Sequence, residues 1–182
     1  STATIEQIYI GESCFQNCYQ LSSILFSHAS QIKLLPNAFL GCQSLKEFKL
    51  TSSKLIIGNN CFSGAAGLRI IELICQNGLI IGESCFENCT SLSSILLQNE
   101  SEKDMIISNN AFNGCNSITS ITIKNKIIQK FSQELFPKPN KIKKLTIIGD
   151  EVFINDNFFE EFFDNHFTLI IESKNKIELG NN

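Results

Sequence analysis

Apolar positions fall into two short alternating runs joined by a stretch of small and polar residues, and this unit recurs about every 24 residues along the chain. Its most regular member is a phenylalanine: Phe15, Phe39, Phe62, Phe86, Phe112, Phe136 and Phe159 are separated by 24, 23, 24, 26, 24 and 23 positions. Five residues before each stand Ile10, Leu34, Ile57, Ile81, Ile107, Phe131 and Ile154, and two residues earlier Ile8, Ile32, Leu55, Leu79, Met105, Gln129 and Val152. Apolar side chains two apart predict a short extended segment with one buried face. Three residues after the Phe comes a column of mostly small side chains, Cys18, Cys42, Ala65, Cys89, Cys115, Pro139 and Phe162. Six, nine and eleven residues after it, Leu21, Ile24 and Phe26 recur as Leu45, Phe48, Leu50; Leu68, Ile71, Leu73; Leu92, Ile95, Leu97; Ile118, Ile121, Ile123; and Ile142, Leu145, Ile147, which predicts a second extended segment. The seventh unit slips by about one residue and ends in HFTLII. A unit this short cannot bury its own apolar stripe, whereas stacked units share one continuous core. The pattern therefore predicts a coil in which each column lies above its equivalent one turn away.

The second run has the L-x-x-L-x-L spacing of leucine-rich repeats. The unit as a whole resembles the BspA-type, or Treponema-like, leucine-rich repeat family, whose hallmark is I-G-x-x-A/C-F-x-x-C-x-x-L-x-x-I-x-I. IGESCFENCTSLSSILL, beginning at Ile81, matches it directly, and SNNAFNGCNSITSITI matches with Ser108 in the Gly position. The sixth unit departs at Gln129 and Pro139, and in the seventh FFEEFFDN replaces the turn. The resemblance implies a leucine-rich repeat solenoid of the α/β type, mostly β. It would stack about seven units of 23–26 residues, with a parallel β-sheet on one face and short turns or helices elsewhere. Residues 1–182 read as one array, and KIELGNN at the end aligns with KLIIGNN at 54–60, so 177–182 read as the start of an eighth unit within a longer array. Phe158, Phe159, Phe162 and Phe163 share one helical face, predicting a short amphipathic helix with Glu160 and Glu161 turned to solvent.

The eight cysteines raise the question of metal. Two C-x3-C pairs, Cys14 with Cys18 and Cys85 with Cys89, look like a four-thiolate zinc site. They lie three units apart, however, which at the usual strand spacing is roughly 14 Å, too far to share one ion. Ala38, Ala65 and Ala111 occupy the same columns, so the cysteines read as small hydrophobes and reduced buried thiols. Neighbouring-turn pairs such as Cys18 with Cys42, Cys61 with Cys85 and Cys89 with Cys115 approach disulfide range, and Cys75, outside all the columns, is expected to be the exposed thiol. No metal or other cofactor is expected.

Composition narrows the function classes further. A formal charge of −3, no Trp and two Tyr give neither the basic field nor the stacking platforms of a nucleic-acid binder. No apolar run reaches the roughly 18 residues of a spanning helix, so no membrane insertion by this segment is expected. His28 and His166 stand in no catalytic or metal motif, no phosphate-binding glycine loop occurs, and the chain is not expected to be an enzyme, unless as the non-catalytic part of a larger one.

Charge placement is more informative. Lys124, Lys126, Lys130, Lys138, Lys141, Lys143 and Lys144 crowd the sixth unit and predict a basic patch for a protein partner with an acidic surface. Ten residues after each Phe, Leu25, Lys49, Glu72, Leu96 and Thr122 are expected to point outward from the main sheet, presumed concave, as a second candidate surface.

These features predict a non-catalytic interaction or structural scaffold binding other proteins. It is placed in the cytoplasm or a cytoskeletal assembly by its unpaired thiols and by ends that interrupt repeats. The resemblance also implies the alternative of a cell-surface adhesin or host-interaction protein. A bias to Lys, Ile and Asn, with Arg69 the only arginine, points to an AT-rich genome and a protist.

Overall fold

The computed structural model describes residues 5–102, 105–128, 141–154 and 166–180. Gln129, Lys130, Phe131, Phe136, Lys138, Pro139, Phe159 and the predicted helix over 158–163 lie outside the described residues.

Both alternating runs form strands. The run before each Phe gives β1 (Ile5–Ile10), β2 (Ala29–Leu34), β4 (Lys54–Ile57), β6 (Leu79–Ile81) and β8 (Met105–Ile107), which pair in that order as one parallel sheet. The run after it gives β3 (Glu47–Ser52), β5 (Ile70–Cys75), β7 (Ser94–Asn99) and β9 (Ser120–Asn125) of a second parallel sheet. This sheet continues into β11 (Lys144–Ile154), whose two halves pair with β9 and with the short β10 (Ile127–Ile128), and then into β12 (Thr168–Leu179). Every pairing is between one turn of the coil and the next, in the register the columns predict: Leu55 lies opposite Leu79, and Ile71 opposite Ile95. Among the described residues there is no helix, so the faces away from the main sheet are a second sheet and a turn.

The turn, G-E-S-C-F-E-N-C in its clearest copy, bends the backbone twice through the left-handed region. Ser13, Asn37, Asn60, Ser84 and Asn110 form one left-handed column and Asn17, Gly41, Gly64, Asn88 and Gly114 the other, with φ between 51° and 72°. Asn and Gly tolerate this conformation better than other residues, so much of the asparagine richness has a conformational cause. The turns also hydrogen-bond to each other: the N–H groups of Ser13, Phe15 and Asn17 donate to the carbonyls of Pro36, Ala38 and Leu40 at 3.1, 2.8 and 2.7 Å.

Inside, the rings of Phe15, Phe39, Phe62, Phe86 and Phe112 form one stack, with centroids 5.1, 5.2, 5.4 and 5.5 Å apart and planes within 7° of parallel. Such a pair contributes about 0.5–1.5 kcal/mol beyond its burial. The small column beside it has a role that a merely small side chain would not fill. Cys42, Cys89 and Cys115 each donate a thiol hydrogen to the carbonyl of the Phe one turn earlier, Phe15, Phe62 and Phe86, at 3.2, 3.3 and 3.0 Å. All eight cysteines are free, and only Cys14 and Cys18, in the first turn, are exposed.

Cys75 is fully buried, against expectation. Register places it in a corner column with Ser52, Asn99 and Asn125, where the chain leaves the second sheet for the first. The polar members of this column satisfy backbone groups that the bend frees. Ser52 Oγ donates to the Ala29 and Lys54 carbonyls at 3.0 and 3.1 Å. Asn99 Oδ1 accepts from the Gly78 N–H at 2.9 Å while Asn99 Nδ2 donates to Asn125 Oδ1 at 2.9 Å.

Two register changes mark the sixth and seventh units. Ile128, 2% exposed, pairs with Val152 and takes an inward place in that column. Leu169 and Ile171 pair with Leu145 and Ile147, ten and twelve residues after Phe159, which is the one-residue slip of the seventh unit.

Candidate functional site

The outward face of the second sheet is one candidate surface, since strand residues between the core columns must point away from the core. Lys49, Glu72, Leu96, Thr122, Thr146 and Ile170 lie side by side on successive strands. Two parallel rows flank them: Glu47, Ile70, Ser94, Ser120, Lys144, Thr168, and Thr51, Ile74, Gln98, Lys124, Ile148, Glu172. At the usual strand spacing, six strands span about 24 Å.

Charge is graded across this face. At its first edge Lys49 Nζ pairs with Glu47 Oε2 at 2.7 Å, and the Lys49 pKa is raised by that hydrogen bond and by the charges of Glu47 and, more weakly, Glu72. The centre is apolar and hydroxylic, with Ile70 37% exposed beside Leu96, Ile74 and Ser94. Lys124 and Lys144 stand on β9 and β11, and Glu172 on the last strand, β12. Thr146, only 8% exposed, keeps a buried hydroxyl with no hydrogen-bond partner among the described residues.

Two predicted groups are placed differently from the expectation. Leu25 is not on the sheet: residues 21–28 form no strand beside β3, and Leu25 projects into solvent at 95% exposure. The edge contact there is instead made by the Phe26 ring, set edge-on to Phe48 at 6.2 Å. The lysines form two groups, not one patch. Lys141, Lys143 and Lys144 lie at the entry of β11, whereas Lys124 and Lys126 lie at the exit of β9, about four strand residues or roughly 13 Å away. Lys126 is also 3.7 Å from Glu102, and Lys138 lies outside the described residues.

A further row escaped the sequence reading. On the outward face of the first sheet, Tyr9, Lys33, Ile56, Ile80 and Ile106 lie in register across five strands. Tyr9 is 57% and Ile106 46% exposed, and Lys33 Nζ sits 5.8 Å from the Tyr9 ring centroid. The signal was available, since these residues all stand six before the Phe and three of them are isoleucine.

His28 and His166 are both exposed, and among the described residues no group of three or more His, Cys, Asp or Glu is placed to hold a metal. Burial pushes the Cys42 thiol up to about 11 and those of Cys61 and Cys75 up to about 12, so these sulfurs stay protonated and poor as nucleophiles. Among the described residues no helix is long and apolar enough to cross a membrane.

A parallel coil of roughly 24-residue turns, with L-x-x-L-x-L strands on one face, defines a leucine-rich repeat solenoid. The family model of the BspA type Leucine rich repeat region matches in six copies over residues 8–143 and 74–179, and the chain belongs to that family. No curated protein and no solved structure matches the chain. Membership of that family suggests a protein-interaction or adhesin-type role.

Proposed function

We propose that the chain is a non-catalytic scaffold that binds another protein across the outward face of its second sheet, within an intracellular and structural assembly. The observation that carries this reading is the three-row face itself. It is held by the core columns beneath, apolar at Ile70, Ile74 and Leu96, and charged toward its sides, with the Glu47–Lys49 pair on one and Lys124, Lys144 and Glu172 on the other. An apolar centre with a charged rim is how protein interfaces are built. The lysine rim favours a partner with acidic residues at matching positions. Free, buried thiols in the core support a reducing compartment.

A photo-crosslinking residue at position 96 should capture the partner in the cells that make the protein, whereas one at position 16, on the turn edge, should not. Equal capture at both positions would remove the sheet face from the proposal. Labelling of intact against permeabilised cells tests the location, and label on intact cells would make the protein a surface adhesin.

A further inference from the structure

Charge is settled differently where the strands of the second sheet begin and where they end. At the exit edge, cations are neutralised within the chain: Lys126 Nζ lies 3.7 Å from Glu102 and Lys174 Nζ 3.2 Å from Asp150. At the entry edge Lys46, Arg69, Lys141, Lys143 and Lys144 are all exposed, and among the described residues none of them is in an ion pair. The one carboxylate among the described residues of that edge, Glu47, is taken by Lys49 at 2.7 Å.

The backbone sets these cations on one line. The residue before each strand bonds to its equivalent one turn earlier: the N–H groups of Arg69, Ser93, Thr119 and Lys143 donate to the carbonyls of Lys46, Arg69, Ser93 and Thr119 at 2.8, 3.0, 3.0 and 2.8 Å. Lys46 and Arg69 are therefore neighbours, and Lys143 stands further along with Lys141 and Lys144 beside it. Ser93 and Thr119 between the two groups are uncharged, and their hydroxyls already donate to the Arg69 and Ser93 carbonyls at 3.1 and 3.2 Å. Arg69 and Lys143 lie three strand spacings apart, roughly 14 Å.

Exposed like charges set side by side repel one another, and an anionic partner relieves that repulsion. An extended polypeptide advances about 3.3 Å per residue, so carboxylates about four residues apart reach both groups. Polypeptide fits this edge better than a nucleic acid or a sulfated sugar chain. Among the described residues no aromatic ring lies between the groups for a base to stack on. Ile70, which follows Arg69 and is 37% exposed, and Leu96 on the next strand instead seat apolar side chains beside the charges.

Resting on the reading that the chain binds another protein, we propose that this entry edge takes an extended acidic segment of the partner. The segment runs across the strands from Lys46 and Arg69 to Lys143 and Lys144, with carboxylates on both groups. The exit edge, where Lys126 and Lys174 already have carboxylates, takes no such segment.

Fluorescence anisotropy of a labelled peptide carrying paired glutamates about four residues apart tests this. The parent should bind it at low ionic strength and release it as salt screens the charges, and the same peptide with Gln in place of Glu should not bind. Lys46→Ser with Arg69→Ser, and separately Lys143→Ser with Lys144→Ser, should each weaken binding roughly tenfold with an unchanged circular dichroism spectrum. Lys124→Ser with Lys126→Ser removes as much charge at the exit edge and should change binding less than about twofold. The proposal is overturned if the parent does not bind the peptide, if the exit-edge variant weakens binding as much as either entry-edge variant, or if a heparin fragment or single-stranded DNA binds more tightly through the same residues. Partner capture from position 96 that survives both entry-edge replacements would remove the edge alone. Absence of capture there, with the peptide still held at the edge, would remove the sheet face and not the edge.

Discussion

Replacing Phe62 by Ala should be among the most damaging single changes in the core. Its ring is wholly buried, stacked between Phe39 and Phe86 at 5.2 and 5.4 Å and tilted against Phe48 at 4.4 Å. Truncating a buried Phe costs about 3–5 kcal/mol. With two stacked partners lost, each contributing about 0.5–1.5 kcal/mol, the upper end of that range applies. Phe15 offers the internal control. It is partly buried and stacks on one ring only, at 5.1 Å, so Phe15→Ala should cost about half as much, near 2 kcal/mol. Urea unfolding reads both values from the midpoint and slope. Because each turn touches only its neighbours, the Phe62 lesion should also broaden the transition by uncoupling the turns on either side of it. Equal costs at the two positions, or a Phe62→Ala cost below about 2 kcal/mol, would refute the claim that the ring stack carries the coupling between turns.

The buried thiols set an alkaline limit. A pKa raised from 9.0 to about 12 at Cys61 and Cys75 means that the folded state holds the proton more tightly than the unfolded one. The associated stability is fully present below pH 9.0 and lost as pH rises toward about 12, so the urea midpoint should be flat up to pH 9.0 and fall above it, less steeply in Cys75→Ala. In native protein a thiol reagent should modify Cys14 and Cys18 alone, the other six becoming reactive only on unfolding; fast labelling of Cys89 would contradict its burial. Gly82→Ala should cost about 1–3 kcal/mol by overpacking, because a Cβ there would lie 2.7 Å from the Asn59 nitrogen. Gly11→Ala, with nothing within 4 Å of its Cβ, should be close to neutral. Asn99→Leu strands the Gly78 N–H and one end of the Asn99–Asn125 bridge, an expected loss of about 1–3 kcal/mol by thermal or urea unfolding.

The repeat made the fold readable because its inward positions answer to one constraint. A Phe that must stack on the Phe of the next turn, and strand residues that must meet their own kind across a parallel ladder, leave the period of a stacked coil in the sequence. Where reading failed, a side chain served the backbone instead of the core. Cys75 looked like an outlier because its column mates are Ser52, Asn99 and Asn125, residues alike in reaching freed peptide groups at a corner and unlike in hydropathy. The thiol donors of the small column were hidden for the same reason, since Ala65 fills the space without the hydrogen bond. Leu25 was misplaced because strand pattern predicts a strand only where a neighbour pairs with it, and residues 21–28 have none beside β3.

The interaction surface is harder to read than the fold, and the cause is physical. Outward residues are released from the stacking rule, so Lys49, Glu72, Leu96 and Thr122 vary from turn to turn although their backbones align in perfect register. Variation of this kind is what a partner reads, and no period inside the chain can announce it. The isoleucine row on the first sheet is the exception that supports the rule. Ile56, Ile80 and Ile106 repeat without any core requirement, at positions that stacking leaves free. Branched side chains favour strand backbone whichever way they point, and substituting Ile80→Lys should leave the unfolding free energy within about 0.5 kcal/mol of the parent. A large loss of stability would show instead that the row belongs to the fold.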